Sequence, residues 1–354
     1  MGKLAVKKLA YFISILFTFL ILILSIIANY SGTIDPNDNI SAAYFTFSSP
    51  IFVLINLILL LYWAIRWRYW FIIPLLGLLS LNNYITSMYQ LYSSTKYSSD
   101  SKLTLVTYNV HSFGNEVTGY SAKEFAKLMN KDDVDVICLQ EYIGNGDFTI
   151  NDIFDTFSKF YPYSYISTSP SLAIYSKYPI SDGQSIPFKQ SNNGAVWADI
   201  DVKGMKVRVI SVHMQTTSFD RLRSKMAKAE EANNSDEKQN ILEQYYSNSL
   251  NNNIRKRANQ AKQIAELVNT TNTPVLLCGD FNDIPNSYTY NTLKGYLKDG
   301  FKSAGKGFAH TYKGLYNTMR IDYIFYADAF SPIRYETIPF DMSDHNPVLM
   351  EVGF

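Results

Sequence analysis

Twenty consecutive residues, Leu9 to Ala28, carry no charge. At about 1.5 Å per residue, a helix of that length reaches about 30 Å, the thickness of a bilayer's hydrocarbon core. A secretory signal peptide would have a shorter apolar stretch followed by a small-x-small cleavage site, whereas two more apolar segments follow here. One runs from Ala42 to Ile65, interrupted by Pro50 and Asn56; the next runs from Tyr69 to Tyr89 and contains Pro74, Gly77, Asn82 and Asn83. Three transmembrane helices are expected, at about 9–28, 42–65 and 69–89, within a membrane region of residues 1–91. Lys3, Lys7 and Lys8 precede the first span, Arg66 and Arg68 separate the second from the third, and the loop Asn29 to Ser41 has no Lys or Arg. The positive-inside bias then puts the amino terminus in the cytoplasm and everything after about Tyr92 in the periplasm or outside the cell. Trp63, Trp67 and Trp70 fit an interfacial aromatic belt. Asn82 and Asn83 have no ionisable partner within the apolar segments, which argues against an intramembrane active site. "YSSTKYSSDSK", residues 92–102, reads as a short polar linker.

The rest of the chain differs in character. Residues 1–100 hold six Lys/Arg and three Asp/Glu, leaving 26 and 28 of the chain's 32 and 31 for the remainder. A slightly acidic region is a poor match for tight non-specific nucleic-acid binding, which rests on many Lys/Arg–phosphate contacts. All four histidines, His111, His213, His310 and His345, lie in this region. The two cysteines, Cys138 and Cys278, each sit inside an apolar run and not in a C-x-x-C spacing. They read as small buried core residues, with a disulfide left open should the region face an oxidising compartment.

From Lys102 onward, short runs rich in Val, Ile, Leu, Tyr and Phe recur between Gly, Pro, Asn or Asp: "LTLVTYNV", "VDVICLQE", "SLAIYSKYPI", "VWADIDV", "KVRVISVH", "PVLLCGDF", "RIDYIFYA" and "NPVLMEV". Helical patterns lie between some of them. "IRKRANQAKQIAELV" sets Ile254, Ala258, Ala261, Ala265 and Val268 on one face, with Arg255, Lys256 and Arg257 mostly off it, and "YSAKEFAKLMN" is a shorter case. The polar segment Phe219 to Asn253 reads as an exposed helical insertion with a solvated face. The expected fold is an α/β sandwich, with helices covering two packed sheets and several strands joined as antiparallel neighbours.

The polar residues on these runs are not scattered. Asn109, Glu141, His213, Asp280 and Asn282 end apolar runs, whereas Asp322, Asp344 and His345 lie at or just before the start of one. Strands running opposite ways in a mixed sheet would bring all eight to one edge. Turn preference alone explains Asn and Asp, but not Glu and His. Asn109, Glu141 and Asp344 offer oxygen ligands suited to Mg²⁺ or Mn²⁺, hard cations that take few protein carboxylates. Zinc is disfavoured because the histidines lack an H-x-x-x-H spacing. A metal on a phosphate oxygen, beside a histidine held by a carboxylate, suits attack of water on a phosphoester.

"TYNVHSFG", "ICLQE", "SVHM", "GDFND", "RIDYIF" and "SDHNPV" together resemble the endonuclease/exonuclease/phosphatase superfamily, in that family's order, across roughly residues 103–354. The resemblance implies a four-layer sandwich of two packed mixed β-sheets flanked by helices, and a metal-dependent phosphoesterase activity of the deoxyribonuclease or sphingomyelinase type. Carried over by position, it makes Asn109 and Glu141 metal-site residues, with Glu141 the principal ligand and Asp344 near the metal. Asp280 and Asn282 become the pair that orients the attacking water and contacts the scissile phosphate. His345 becomes the catalytic histidine with Asp322 as its carboxylate partner, and His213 a second histidine at the phosphate or leaving oxygen. Where abasic-site endonucleases commonly carry Asp, two positions after the motif's Asn, this chain has His111, which argues against that branch. His111 stays open between a substrate contact and a packed or solvent-facing residue, and His310 is a rim residue without an assigned role.

The leading reading is a membrane-anchored, divalent-metal phosphoesterase whose site faces the periplasm or exterior. Tethering favours a lipid headgroup or small phosphoester as substrate, with the bilayer as partner and no obligate protein partner evident. The alternative is an extracytoplasmic nuclease acting on DNA or RNA. A third reading, a catalytically inactive membrane-tethered binding module, would show lost ligands, yet Glu141, Asp280, Asn282, Asp322 and His345 are all present.

Overall fold

The structure, a computed structural model, describes residues 2–92, 99, 101–217, 219–231 and 235–354; residues 93–98 and 100 of the expected linker lie outside the described residues. Two compact units emerge: Met1–Met88 with Pro285–Asn291, and Tyr89–Ile284 with Thr292–Phe354.

In the first unit, the uncharged run forms the helix Gly2–Ser31, the one helix among the described residues long and apolar enough to cross a membrane by itself. The expected second and third spans are not single straight helices. Ile40–Phe47 meets Ser49–Ile65 at 45°, and Tyr69–Ser80 meets Asn82–Met88 at 63°. The first bend follows from Pro50, which sits in the opening turn of Ser49–Ile65 and has no N–H to continue the preceding ladder. At the second, Ser80 Oγ donates to the Gly77 carbonyl at 2.7 Å, a back-bonding that bends helices, and the Leu81 N–H is shared between the Gly77 and Leu78 carbonyls. Asn56 and Ser25 face one another inside the unit, whereas Asn82 and Asn83 are exposed. Asn56 Nδ2 donates to Ser25 Oγ at 2.8 Å, and a Cβ on Gly77 would meet Asn56 Oδ1 at 2.2 Å. Trp63 leaves the expected interfacial belt: it is fully buried and donates Nε1–H to Thr18 Oγ1 at 2.9 Å, the inward hydrogen bond its indole requires.

The second unit holds two six-stranded mixed sheets. In order, the first contains Ser331–Thr337, Val348–Gly353, Lys102–Asn109, Val136–Gln140, Ser171–Ser176 and Tyr163–Thr168. The second contains Lys298–Asp299, Asp322–Tyr326, Val275–Asp280, Met205–His213, Gly194–Val202 and Ile180–Pro187. Every neighbouring pair is antiparallel except one near the middle of each sheet: Lys102–Asn109 with Val136–Gln140, and Met205–His213 with Val275–Asp280. One member of each parallel pair, Val136–Gln140 and Val275–Asp280, is wholly buried, which is why its sequence reads as a largely apolar run. Gln140 Nε2 donates to Ser211 Oγ at 2.9 Å, linking one parallel pair to the other across the sandwich.

Helices flank the sheets, as expected. Tyr120–Lys131 and Ile150–Ser158 pack Phe125, Met129, Ile153 and Phe157 against Val106, Tyr108 and Tyr175 of the first sheet. Ile150–Ser158 starts with a capping box in which Thr149 and Asp152 satisfy each other's backbone N–H. Asn251–Thr270 buries Ile254, Ala258, Ala261, Ile264 and Val268, so Ile264 takes the place expected of Ala265. Arg257, expected off that face, is fully buried: its Nε meets Asp283 Oδ2 at 3.0 Å and its Nη1 donates to Gln215 O at 2.8 Å. The polar insertion is helical at Phe219–Glu231 and Ser235–Gln244, while residues 218 and 232–234 lie outside the described residues. Cys138 and Cys278 are both free and buried, so they form no disulfide here.

Candidate active site

Strand register alone assembles most of the site. Asn109 pairs with Gln140 at the ends of one parallel pair, which puts Glu141 just past the edge. His213 pairs with Asp280 at the ends of the other, and Asp280 pairs with Asp322 across the adjoining antiparallel ladder. Val348 pairs with Thr107, so Asp344 and His345 arrive at the same edge from the opposite direction.

Side-chain contacts join all eight expected residues. His345 Nδ1 lies 2.9 Å from Asp322 Oδ2, and its Nε2 lies 3.8 Å from Asp280 Oδ2. Asn109 Nδ2 donates to Glu141 Oε1 at 3.2 Å and to Asp280 Oδ2 at 3.1 Å, while its Oδ1 accepts the His111 N–H at 3.0 Å. Asn109 therefore turns its amide nitrogen, not its oxygen, toward the carboxylates. His213 Nε2 sits 3.6 Å from Glu141 and 3.7 Å from Asp280. Asn282 donates to Asp280 through its backbone N–H at 2.8 Å and through Nδ2 at 3.0 Å. Ser343 Oγ bonds both Asn109 O, at 2.8 Å, and Asp344 Oδ1, at 3.3 Å.

The electrostatics are uneven. Burial opposes charge on His345, but the Asp322 and Asp280 carboxylates outweigh it and hold the imidazole up at about 10. Burial, then the charge of Asp322, pushes Asp280 up to about 7 against the pull of His345. Burial likewise works against ionised Glu141, yet the His111 hydrogen bond and the His213 charge bring it down to about 2. Burial lowers His213, a tendency that Glu141 opposes. One edge thus holds a firmly ionised carboxylate, a carboxyl poised near neutrality and a histidine kept protonated, and groups whose environments separate their proton affinities in this way can divide acid and base roles.

Four carboxylates meet here, Glu141, Asp280, Asp322 and Asp344. Among the described residues no Lys or Arg pairs with any of them; their ion-pair partners are histidines. Such a surplus of negative oxygen, with no cysteine in the set, fits a hard divalent cation. One ligand-type atom each from Asp280, Asp322 and His345 lies within 4.8 Å of the others, a buried group that could hold a metal only with His345 deprotonated. Glu141 and Asp344 stand at the more open side, with side chains 31% and 38% exposed, where an ion would also meet a substrate.

Other residues belong to the site without having been expected there. His111 Nδ1 lies 3.3 Å from Glu141 and 3.7 Å from Asp344, beside the cluster, with its side chain 44% exposed. Thr311 Oγ1 accepts the N–H groups of Ile321 and Asp322, both at 3.0 Å, and the ring of the next residue, Tyr312, lies 5.1 Å from that of His345. Ser343 and Gln140 stand inside quoted motifs, but Thr311 and Tyr312 lie in a short segment with no periodic signal. His310 stacks on Phe308 with centroids 5.9 Å apart, and no contact joins it to the cluster.

Known proteins place the chain as follows. The model described as the Endonuclease/Exonuclease/phosphatase family matches residues 106–345, and one described as a domain of unknown function (DUF8431) matches residues 7–88. Among solved structures, a humanised D. rerio TDP2 with 14 mutations is similar at 16% identity and a TM-score of 0.51, covering 72% of this chain and 100% of its own. An endonuclease/exonuclease/phosphatase family protein from Leptotrichia buccalis is similar at 19% identity and 0.51, covering 71% and 100%. One from Bacteroides thetaiotaomicron is similar at 17% and 0.50, covering 72% and 98%. At these identities the likeness is one of fold. No curated protein matches the chain.

Proposed function

The chain belongs to the endonuclease/exonuclease/phosphatase family, whose members are phosphoester hydrolases, and on that premise we propose a membrane-anchored, Mg²⁺-dependent phosphoesterase acting on a lipid headgroup or small phosphoester. The observation that carries this reading is the buried His345–Asp322 pair at 2.9 Å, set beside Asp280 among carboxylates that no Lys or Arg neutralises.

Asn109, Glu141 and Asp344 would hold the ion, Glu141 and Asp344 as carboxylates and Asn109 by fixing Glu141 through its Nδ2. When bound, a divalent ion supplies neutralisation of charge on the phosphate and leaving oxygens. Asp280, near neutrality and held at both oxygens by Asn282 and Asn109, accepts the proton of the attacking water. His345 stays charged against Asp322 and donates from Nε2 to a phosphoryl oxygen. His213, whose hold on a proton burial weakens, serves the leaving-group side. Manganese shares the oxygen preference of magnesium and is expected to substitute.

Three features support anchoring by three spans. Gly2–Ser31 meets the requirement by itself, each bent helix pair meets it when its halves are taken together, and the Lys/Arg pattern favours a cytoplasmic amino terminus. The catalytic domain, residues 103–354, would then lie outside the cytoplasm beyond the 92–102 linker. A reporter fused after Tyr92 should be active only in its extracytoplasmic form; activity of a cytoplasmic reporter there refutes the topology.

The decisive assay uses the full chain in detergent, with Mg²⁺ or with chelator, against bis-p-nitrophenyl phosphate, plasmid DNA, a sphingomyelin-type lipid and inositol phosphates. Metal-dependent cleavage is expected, and exclusive cleavage of DNA would move the assignment to a nuclease. Glu141→Ala and His345→Ala should each abolish turnover in a folded protein. Retained activity in either would overturn its role.

A further inference from the structure

The polar insertion does more than present a solvated face. With the loop at residues 190–193 it walls a half-open cavity of about 490 Å³, within the range of small-ligand pockets. Ser191, Asn193, Gln215 and Gln244 line it together with Lys225 and Lys256, and among the described residues the lining contains no carboxylate. Its wall is continuous with the catalytic edge. The carbonyl of Met214, the residue after His213, accepts from Asn282 Nδ2 at 3.1 Å on the catalytic side and from Asn193 Nδ2 at 3.0 Å on the cavity side. Gln215 Oε1 accepts from Ser191 Oγ at 2.9 Å, and the Gln215 carbonyl is pinned by the buried Arg257.

We propose that this cavity is the subsite for a polyhydroxylated, negatively charged headgroup attached to the phosphate that the catalytic cluster cleaves; the inference rests on the phosphoesterase reading. Amides and hydroxyls supply donors and acceptors in alternation, the match that vicinal hydroxyls need, and an apolar group would leave them unpaired. The two lysines favour additional negative charge. A quaternary ammonium headgroup is selected by aromatic faces, and Tyr245 is the one aromatic side chain in the lining, beside two cations that would repel it.

The test compares glycerophosphoinositol 4-phosphate with glycerophosphocholine, two phosphodiesters with the same glycerol side and opposite headgroup character, on the full chain in detergent with Mg²⁺. The expected result is a preference of at least about tenfold in kcat/KM for the inositol compound, the size of one charge-assisted contact. In the variant carrying Lys225→Ala and Gln244→Leu, that preference should fall at least about tenfold relative to the change on bis-p-nitrophenyl phosphate. A preference for glycerophosphocholine, equal rates on both, or an unchanged preference in a folded variant would overturn the subsite. If even bis-p-nitrophenyl phosphate is not cleaved, the hydrolase reading fails separately. Equilibrium binding of the same two probes to wild type and variant then decides the subsite, with inositol-selective binding lost in the variant as the supporting result and non-selective or absent binding as the opposing one.

Discussion

Glu141 stands in the left-handed region at φ 53°, as do Asn282 at 51° and His111 at 44°. Asn tolerates that region; for Glu and His it stores about 1–3 kcal/mol each, strain that gathers where side chains must be aimed. The same turn explains why His111 was not legible. Its place after an apolar run fits either side of the chain, and only positive φ through Phe113 brings its ring back over Glu141. The other eight residues were legible because each stands at the end or start of an apolar run, and because Glu141, His213 and His345 among them add chemistry that a turn does not need. Arg257 was not, since its partner Asp283 lies 26 positions away in a loop. Two predictions belong at this scale. Asp322→Asn keeps the shape of the His345 contact but removes the charge that holds the imidazole protonated, so kcat should drop about 10²–10⁴-fold with little change in KM; steady-state kinetics would reveal it, and a change confined to KM would refute the pairing role. Arg320→Met strands the carboxylate of Asp299, which now receives Arg320 at 2.6 and 2.8 Å with both side chains fully buried. A loss of about 3–5 kcal/mol in urea unfolding is expected.

Among strands, those that sequence reading found and missed divide by position. The interior strands of both sheets announced themselves as apolar runs. Tyr163–Thr168, Ile180–Pro187 and Ser331–Thr337 did not, and each is an edge strand. An edge has one hydrogen-bonded side and stays partly in water, so Ser, Asp, Gly and Arg replace the regular pattern that burial enforces. The long run "SLAIYSKYPI" consequently reads as one strand, although the chain leaves one sheet at Ser176 and enters the other at Ile180. Gly279 shows how tightly the central strands are packed. It has φ 131° beside Val212, and a Cβ there would lie 2.0 Å from the Val212 carbonyl oxygen, which is backbone and cannot swing aside. Gly279→Ala should therefore cost at least about 2 kcal/mol and displace the neighbouring Asp280, so stability and activity should fall together. Full activity in that variant would contradict the register.

For the molecule as a whole, the site is a joint between two sheets: Asn109, Glu141 and His345 come from the first and its flanking segments, His213, Asp280 and Asp322 from the second. Binding an ion across that joint should stabilise the entire domain. Mg²⁺ at a hundred times its Kd is expected to add about 2.7 kcal/mol, visible as a raised thermal midpoint that Glu141→Ala abolishes. An unchanged midpoint would argue against ion binding at this edge. The route of the chain adds a constraint on biosynthesis. The second sheet, residues 180–326, is inserted between two parts of the first, whose central strand Lys102–Asn109 receives its antiparallel neighbour only when Val348–Gly353 arrives. On the ribosome, a chain not yet extended to Val348 would carry a bare, apolar strand edge together with most of the candidate site's side chains, but without a docked His345. The segment that seals that edge is also the one that brings His345, so covering the exposed strand and completing the candidate site are one event.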